Sequence, residues 1–450
     1  MGSNQITVFD SKAEQAIKLS ELIATTLESA RQILQTPQIE HEMKNLIGDA
    51  LAMLGKQVHT LLDWEAAEEF EATHWAEIQA CAGSELVAKT ASWYAAFSTQ
   101  FIGRYLAQLK QNVQITERAA RISVDLAEKY IPLTPDSKGK MLLETALRCG
   151  VTAPAFSAEI MMRAFELAPD LLKNKAEHLK GFVYEQGKHS QEAFSCCPSC
   201  GGIGEAYHTA CSCYMNDYSP MFLPAKLWMR CPDCGILYTR WFSKEFLAMS
   251  QEPYLVYPQP DQITIQPANS MLLRSWNDIL NSMRELCDSP GNDVLEVGVG
   301  NGNLIAVAQE MGYDVSAVEI AKQTAQNAAN LLDLPILCGD FLRMPEDRQY
   351  DMITMGDVLE HLRSPSEGMA KAYRLLKQGG VLWVSTPNYE SAFTTMMKMN
   401  DPMWREPHHI TYFSRKSLTR LAEQTGFQVM QYSVSNHYNG SMELLLKRNK

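Results

Sequence analysis

"DVLEVGVGNGNL", residues 293–304, places Gly298, Gly300 and Gly302 within five positions, directly after an apolar run. Glycine carries no Cβ and adopts positive φ readily, so such a loop brings backbone close to a ligand. A dinucleotide fingerprint needs G-x-G-x-x-G, its last glycine packing helix on strand beneath a pyrophosphate. Here position 303 is Asn303, and the third glycine comes one residue early. A phosphate loop fails too, because no Gly-Lys-Ser/Thr follows. What remains is Glu296, two residues ahead of a G-x-G-x-G run. That suits a nucleoside ligand with a cationic end and no phosphate, the carboxylate facing an ammonium.

From about residue 270 strand-like segments ("DVLEVGV", "DVSAVEI", "PILCGD", "YDMITMGD", "GGVLWVSTP") alternate with helix-like ones. Such alternation predicts a parallel sheet with crossover helices. "FQVMQYSV" and "SMELLLK", joined through "NHYNG", predict a terminal antiparallel hairpin. Two further acids fall at strand ends. Glu319 closes "SAVE", where a carboxylate can accept both hydroxyls of a ribose. Asp340 follows the third strand, where it can accept from an adenine amino group while Phe341 or Leu342 covers the ring. Singly, each acid reads as a helix cap or solvated loop residue. Three at successive strand ends of one sheet are far less ordinary.

These residues resemble class I S-adenosylmethionine-dependent methyltransferases, over residues 265–450. "LEVGVGNG" is similar to the family's first motif, "VEI" to its ribose-binding acid and "GDF" to its adenine motif. "MGDVLEHL" (355–362) resembles the segment after the fourth strand, and "GGVLWVSTPN" the fifth strand. The resemblance implies a Rossmann-like sheet of seven strands, the last antiparallel. It implies S-adenosyl-L-methionine held by Glu296, Gly298, Gly300, Gly302, Glu319, Ile320, Asp340, Phe341, Gly356 and Asp357. "PHHITYFSRKSLTRLAEQTGF" resembles the branch of ubiquinone-type O-methyltransferases and methyltransferases of sugar and polysaccharide clusters.

Methyl transfer to a hydroxyl or carbon acid needs a base. His361 is the first candidate, just past the fourth strand where the active face opens. His408 and His409 follow, one to point into the site and one to hold its loop. A histidine satisfied within the structure is the alternative reading of His361. Asp357 and Glu360 would contact the cofactor or cap the next helix. Enzymes that methylate amino groups of nucleic-acid bases resemble one another in an "NPPY"-type run after the fourth strand. This chain reads "GDVLEH" there.

Seven of the eleven cysteines lie between 196 and 234, and eight of the twenty prolines between 198 and 267. Clustered cysteines in an intracellular chain favour metal over disulfides. "CPSCG" (197–201) and "CPDCG" (231–235) are two knuckles of one form. Cys197, Cys200, Cys231 and Cys234 would give structural Zn²⁺ its closed tetrahedral thiolate set. Cys196, Cys211 and Cys213 could substitute for one knuckle or bind a further ion. "CPDCGILYTR" also resembles the zinc-ribbon leader of sugar-cluster methyltransferases.

Length, at 450 residues, predicts two or three domains. Apolar residues at helical spacing predict an all-α N-terminal domain at 1–185, with six to eight helices. A small zinc ribbon follows at 186–260, then the α/β methyltransferase domain at 265–450. "DWEAAEEFEATHWAE" (63–77) reads as an amphipathic helix with a solvated acidic face, or as an acidic and aromatic recognition surface. A net charge of −12 argues against nucleic acid or an anionic membrane as main partner. No spanning stretch and no basic-then-apolar leader is visible, which predicts a cytoplasmic protein.

The function expected is methylation of a hydroxyl, or a carbon, of a small metabolite or sugar-type intermediate, by a chain that could be a homo-oligomer. The alternatives are a zinc-ribbon RNA methyltransferase and a non-catalytic cofactor-binding scaffold.

Overall fold

The computed structural model describes residues 134–150, 153–173, 191–214, 223–243 and 273–449, with isolated positions between 21 and 129. The chain divides into two compact units, Met1–Gln186 with His208–Cys211, and Gly187–Tyr207 with Ser212–Lys450. No helix among the described residues is long and apolar enough to cross a membrane.

In the first unit α1 (Pro135–Cys149), α2 (Pro154–Leu167) and the short α3 (Asp170–Lys173) are described. Proline opens α1 and α2 where an amide donor would go unused, and Thr134 caps α1 by accepting from the Ser137 amide. α2 buries Phe156, Ile160, Met161 and Phe165. Gly139 lets α1 approach: a Cβ there would meet that of Ala168 at 2.3 Å. The other expected helices, and the acidic stretch 63–77, lie outside the described residues.

In the knuckle region run β1 (Gln191–Ala193), β2 (Glu205–Cys211), β3 (Ala225–Arg230), β4 (Leu237–Thr239) and β5 (Trp241–Ser243). Then come α4 (Leu273–Leu286), β6 (Asp293–Val297), α5 (Asn303–Glu310), β7 (Asp314–Glu319), α6 (Lys322–Leu332), β8 (Leu337–Cys338), β9 (Tyr350–Gly356), α7 (Pro365–Leu375) and β10 (Leu376–Pro387). The chain closes with α8 (Ala392–Met397), β11 (Thr411–Tyr412), α9 (Arg415–Gln424), β12 (Phe427–Val434) and β13 (Ser441–Arg448).

Seven strands form one sheet, ordered β12-β13-β10-β9-β6-β7-β8. β6 pairs in parallel with β7 and β9, whereas β13 pairs antiparallel with β10 and β12. Its central strands β6, β9 and β10 are buried on both faces, and the period of two sorts their side chains. Leu295, Val297, Ile353, Met355, Leu382 and Val384 join one core with α7 and α9. Val294, Met352, Val381 and Trp383 join another with α4 and α5. Chain order reverses between β6 and β9, the switch point where the sheet leaves a crevice at its strand ends.

The knuckle strands share one four-stranded sheet with β11 of the C-terminal part. β4 pairs antiparallel with β3 and also with β11, with Tyr238 opposite Thr411 and Leu237 opposite Tyr412. Tyr238 and Tyr412 are buried, and Trp228 packs on Tyr412 and Trp404. A ribbon this small buries its apolar face by borrowing a strand.

Candidate active site

All three loop glycines have positive φ, +78° at Gly298, +52° at Gly300 and +78° at Gly302. At Gly298 a Cβ would also meet Val358 Cγ2 at 2.6 Å. The loop therefore requires glycine for conformation and for close approach alike. It forms the rim of a cavity of about 360 Å³ at the ends of β6, β7, β8 and β9. That volume falls within the range of small-molecule sites, roughly 300–1,000 Å³.

Gly298, Gly300, Glu319, Ile320, Asp340, Phe341, Gly356, Asp357, His361 and His408 all line this cavity. Three expected site residues do not. Gly302 instead caps α5 against Leu332 and Ala328. Glu296 is buried, and its Oε2 has no hydrogen-bond partner among the described residues. Burial pushes its carboxyl well above the ordinary range, Glu319 pushes further, and the Ile305 amide opposes. His409 is buried, with its ring centroid 4.9 Å from that of His361.

Backbone amides orient the strand-end acids. Glu319 accepts from the Gly300 amide at 3.3 Å and the Ala321 amide at 2.9 Å. Asp340 accepts from the Leu342 amide at 2.9 Å, capping a 3₁₀ turn. Asp357, itself at φ +52°, accepts from the Ser385 hydroxyl at 3.2 Å. Burial raises its carboxyl to about 6, the Ser385 bond opposing and Glu443 adding.

The histidines differ in their surroundings. His361 Nδ1 meets the His408 carbonyl at 3.0 Å, and burial pushes its pKa down to about 4. His408 Nδ1 lies 2.7 Å from Glu406 Oε1, and the His408 amide donates to the same oxygen. Burial acts to raise the Glu406 carboxyl, but these His408 bonds hold it below its ordinary value. Lys226 of β3 donates its ammonium to the Glu406 and His409 carbonyls. Burial pushes Lys226 down to about 7, with Glu406 acting in the other direction. Neither Glu406 nor Lys226 was marked by sequence; a lysine inside an apolar strand, "AKLWMR", is the signal that could have found the second.

The knuckles are alike in detail. Gly201 and Gly235 both sit at φ +77°, and each donates its amide to the carbonyl of the knuckle's first cysteine, at 2.9 Å. The sulfurs of Cys197, Cys200, Cys231 and Cys234 lie within 4.8 Å of one another. Cys197 is 3.6 Å from Cys234 and Cys200 is 3.4 Å from Cys231, sulfur to sulfur. Four bonds of ~2.3 Å in a tetrahedron need edges of ~3.8 Å, so the set fits a metal. Cys196, Cys211 and Cys213 stand outside it.

The family described as "Methyltransferase domain" matches residues 269–432. A "Probable S-adenosylmethionine-dependent methyltransferase" of Mycolicibacterium smegmatis is 32% identical over 165 residues, 34% of this chain and 59% of that protein. A ubiquinone biosynthesis O-methyltransferase of Glaesserella parasuis is 30% identical over 142 residues, 29% of this chain and 58% of that one. The match thus spans under two thirds of either relative. A solved S-adenosylmethionine-dependent methyltransferase from Clostridium acetobutylicum aligns over 40% of this chain and 92% of its own, at 14% identity and a TM-score of 0.34. With the sheet order and glycine loop above, the family match makes residues 269–432 a class I S-adenosylmethionine-dependent methyltransferase domain.

Proposed function

We propose that this protein methylates a hydroxyl oxygen of a small metabolite or sugar-type intermediate. The observation that carries the reading is the convergence of Gly298, Gly300, Glu319, Asp340 and His408 on one cavity. S-adenosylmethionine supplies a methyl carbon made electrophilic by its sulfonium leaving group. A carboxylate offers about four acceptor sites. Glu319 uses two on backbone amides, which orient it to take the ribose hydroxyls with the others. Asp340 would accept from the adenine amino group, and Phe341 and Leu342 would cover the ring. Asp357 faces the cationic end, a role the sequence had given to Glu296.

His408 takes the acceptor's proton. Its Nδ1–H, directed at Glu406, fixes the tautomer whose Nε2 is basic, the logic of a carboxylate-oriented general base. The methyl group would pass to that oxygen, with the cofactor's sulfur keeping the carbon–sulfur electron pair as a neutral thioether. His361, whose Nδ1 is committed to the His408 carbonyl, positions that loop. Cys197, Cys200, Cys231 and Cys234 would hold Zn²⁺ in a folding role, all four ligands coming from the chain.

Glu319→Ala tests the reading: calorimetric heat with S-adenosylhomocysteine should vanish while circular dichroism stays unchanged. Wild-type protein with labelled cofactor and a metabolite extract should yield a product heavier by one methylene. Undiminished affinity in the variant would refute the ribose role.

A further inference from the structure

We propose that a second cavity, built by α4, β10, β12 and β13, is a binding site for a protonated amine. It encloses about 220 Å³, and Asp278 of α4, Trp383 of β10, Glu443 of β13 and His437 of the turn before β13 are among the residues that line it. Sites for drug-sized ligands run roughly 300–1,000 Å³, so this one suits a smaller group. It stands beside the cofactor cavity. Gly356 lines that cavity, and a Cβ on it would meet Trp383 Cζ3 at 3.0 Å. Ser385, which donates its hydroxyl to Asp357, pairs with Glu443 across β10 and β13.

The buried groups are set for a cation. Glu443 Oε2 accepts from the Trp383 indole at 3.3 Å, which fixes the carboxylate and leaves Oε1 for another partner. Oε1 lies 3.8 Å from His437 Nε2, beyond hydrogen-bond reach. A ligand nitrogen ~2.9 Å from each atom fits across that gap. The His437 side chain is 2% exposed, and neither ring nitrogen has a hydrogen-bond partner among the described residues. Buried polar atoms are rarely left so. The ring is held in place, stacked on Trp276 with centroids 4.0 Å apart, while the His437 amide donates to Ser435 Oγ at 3.1 Å.

The lining narrows the ligand. Among the described residues no lysine or arginine lines the cavity, whereas two carboxyl side chains, Asp278 and Glu443, do. Phosphate and carboxylate ligands would enter with their charge unpaired. An ammonium brings three donors and no acceptor. It meets a carboxylate oxygen of Glu443 and the lone pair of a neutral His437, and the Trp383 ring adds an aromatic wall that favours cations. Burial lowers His437, with Glu443 opposing, which keeps one ring nitrogen free to accept. A neutral polyol would find the same acceptors but leave the carboxylate charge unmet.

Titration of the full-length protein, free of cofactor, with glucosamine and with ethanolamine tests the site. The indole N–H signal of Trp383, assigned by its loss in Trp383→Phe, is followed by nitrogen–proton NMR. It should shift saturably, with one amine bound per chain. Glucose and ethylene glycol, which carry a hydroxyl in place of the ammonium, should bind at least tenfold more weakly. Glu443→Gln keeps the indole bond and His437→Phe keeps the stacking, and each should weaken the amine at least tenfold. No saturable shift with either amine in the wild-type chain overturns the site, whatever the variants' folding. Equal binding of glucose and glucosamine overturns the amine, and undiminished binding by folded Glu443→Gln does so equally. With S-adenosylmethionine added, a bound amine that gains one methylene is the methyl acceptor itself, and one that keeps its mass is a separate ligand. Either result upholds the site. Only that last distinction rests on the methyl-transfer reading, so its failure leaves the binding result standing.

Discussion

At the residue scale, burial rather than residue type assigns the roles. Glu296 and Asp357 are both acids next to the glycine loop, yet only Asp357 reaches the cavity. Its raised value has a consequence for stability. Below about pH 4 the carboxyl is protonated in folded and unfolded chains alike. As pH rises toward 6 the unfolded chain ionises first, because burial resists ionisation in the fold. This group's contribution is therefore fully present near pH 4, falls through the window to about pH 6, and stays lost above it. A shift of about two units bounds the effect at roughly 3 kcal/mol. Asp357→Asn removes the titration, and asparagine tolerates the same positive φ. The stability of the variant relative to wild type should rise from pH 4 to pH 7 in urea titrations; a flat difference would show that the site does not resist charge.

At the element scale, the glycine loop was legible because its constraint is local. Spacing alone excluded a pyrophosphate loop, and the positive φ values follow from the residue type. Gly298→Ala should cost ~1–3 kcal/mol in strain and, through the clash with Val358, weaken cofactor affinity at least tenfold. Gly312→Ala is the control: φ is +84° there, but nothing lies within 4 Å of the added Cβ. It should show strain in urea denaturation with calorimetric affinity unchanged. Equal losses of affinity in both would mean that conformation, not close approach, sets the cofactor site. The central strands of the sheet were legible for a similar reason, since burial on both faces leaves continuous apolar runs. β11 was not. Two residues, Thr411 and Tyr412, carry no periodicity, and their partner β4 lies across most of the second unit.

At the scale of the whole second unit, that unread pairing joins the two chemistries. The knuckles hold β4, β4 pairs with β11, and β11 follows directly on His408 and His409. Tyr389 adds a bond of 2.6 Å from its hydroxyl to the Gly235 carbonyl inside the second knuckle. Removing the metal proposed for the knuckles with a chelator should therefore speed amide exchange at 237–239 and at 411–412 together. Exchange confined to the knuckles would uncouple them.

Lys226 gives the sharper test, because it reaches the loop without touching the cavity. Lys226→Met keeps the aliphatic stem but leaves the Glu406 and His409 carbonyls without their donor, a loss of about 1–3 kcal/mol. The glycine loop and strand-end acids are untouched, so S-adenosylhomocysteine affinity should hold. His408 should lose its alignment, and kcat should fall at least tenfold once an acceptor is in hand, KM changing less. A variant as active as wild type would release the knuckle region from any part in placing the base. A variant that loses cofactor affinity in step with kcat would make Lys226 a support of the whole fold rather than of one loop.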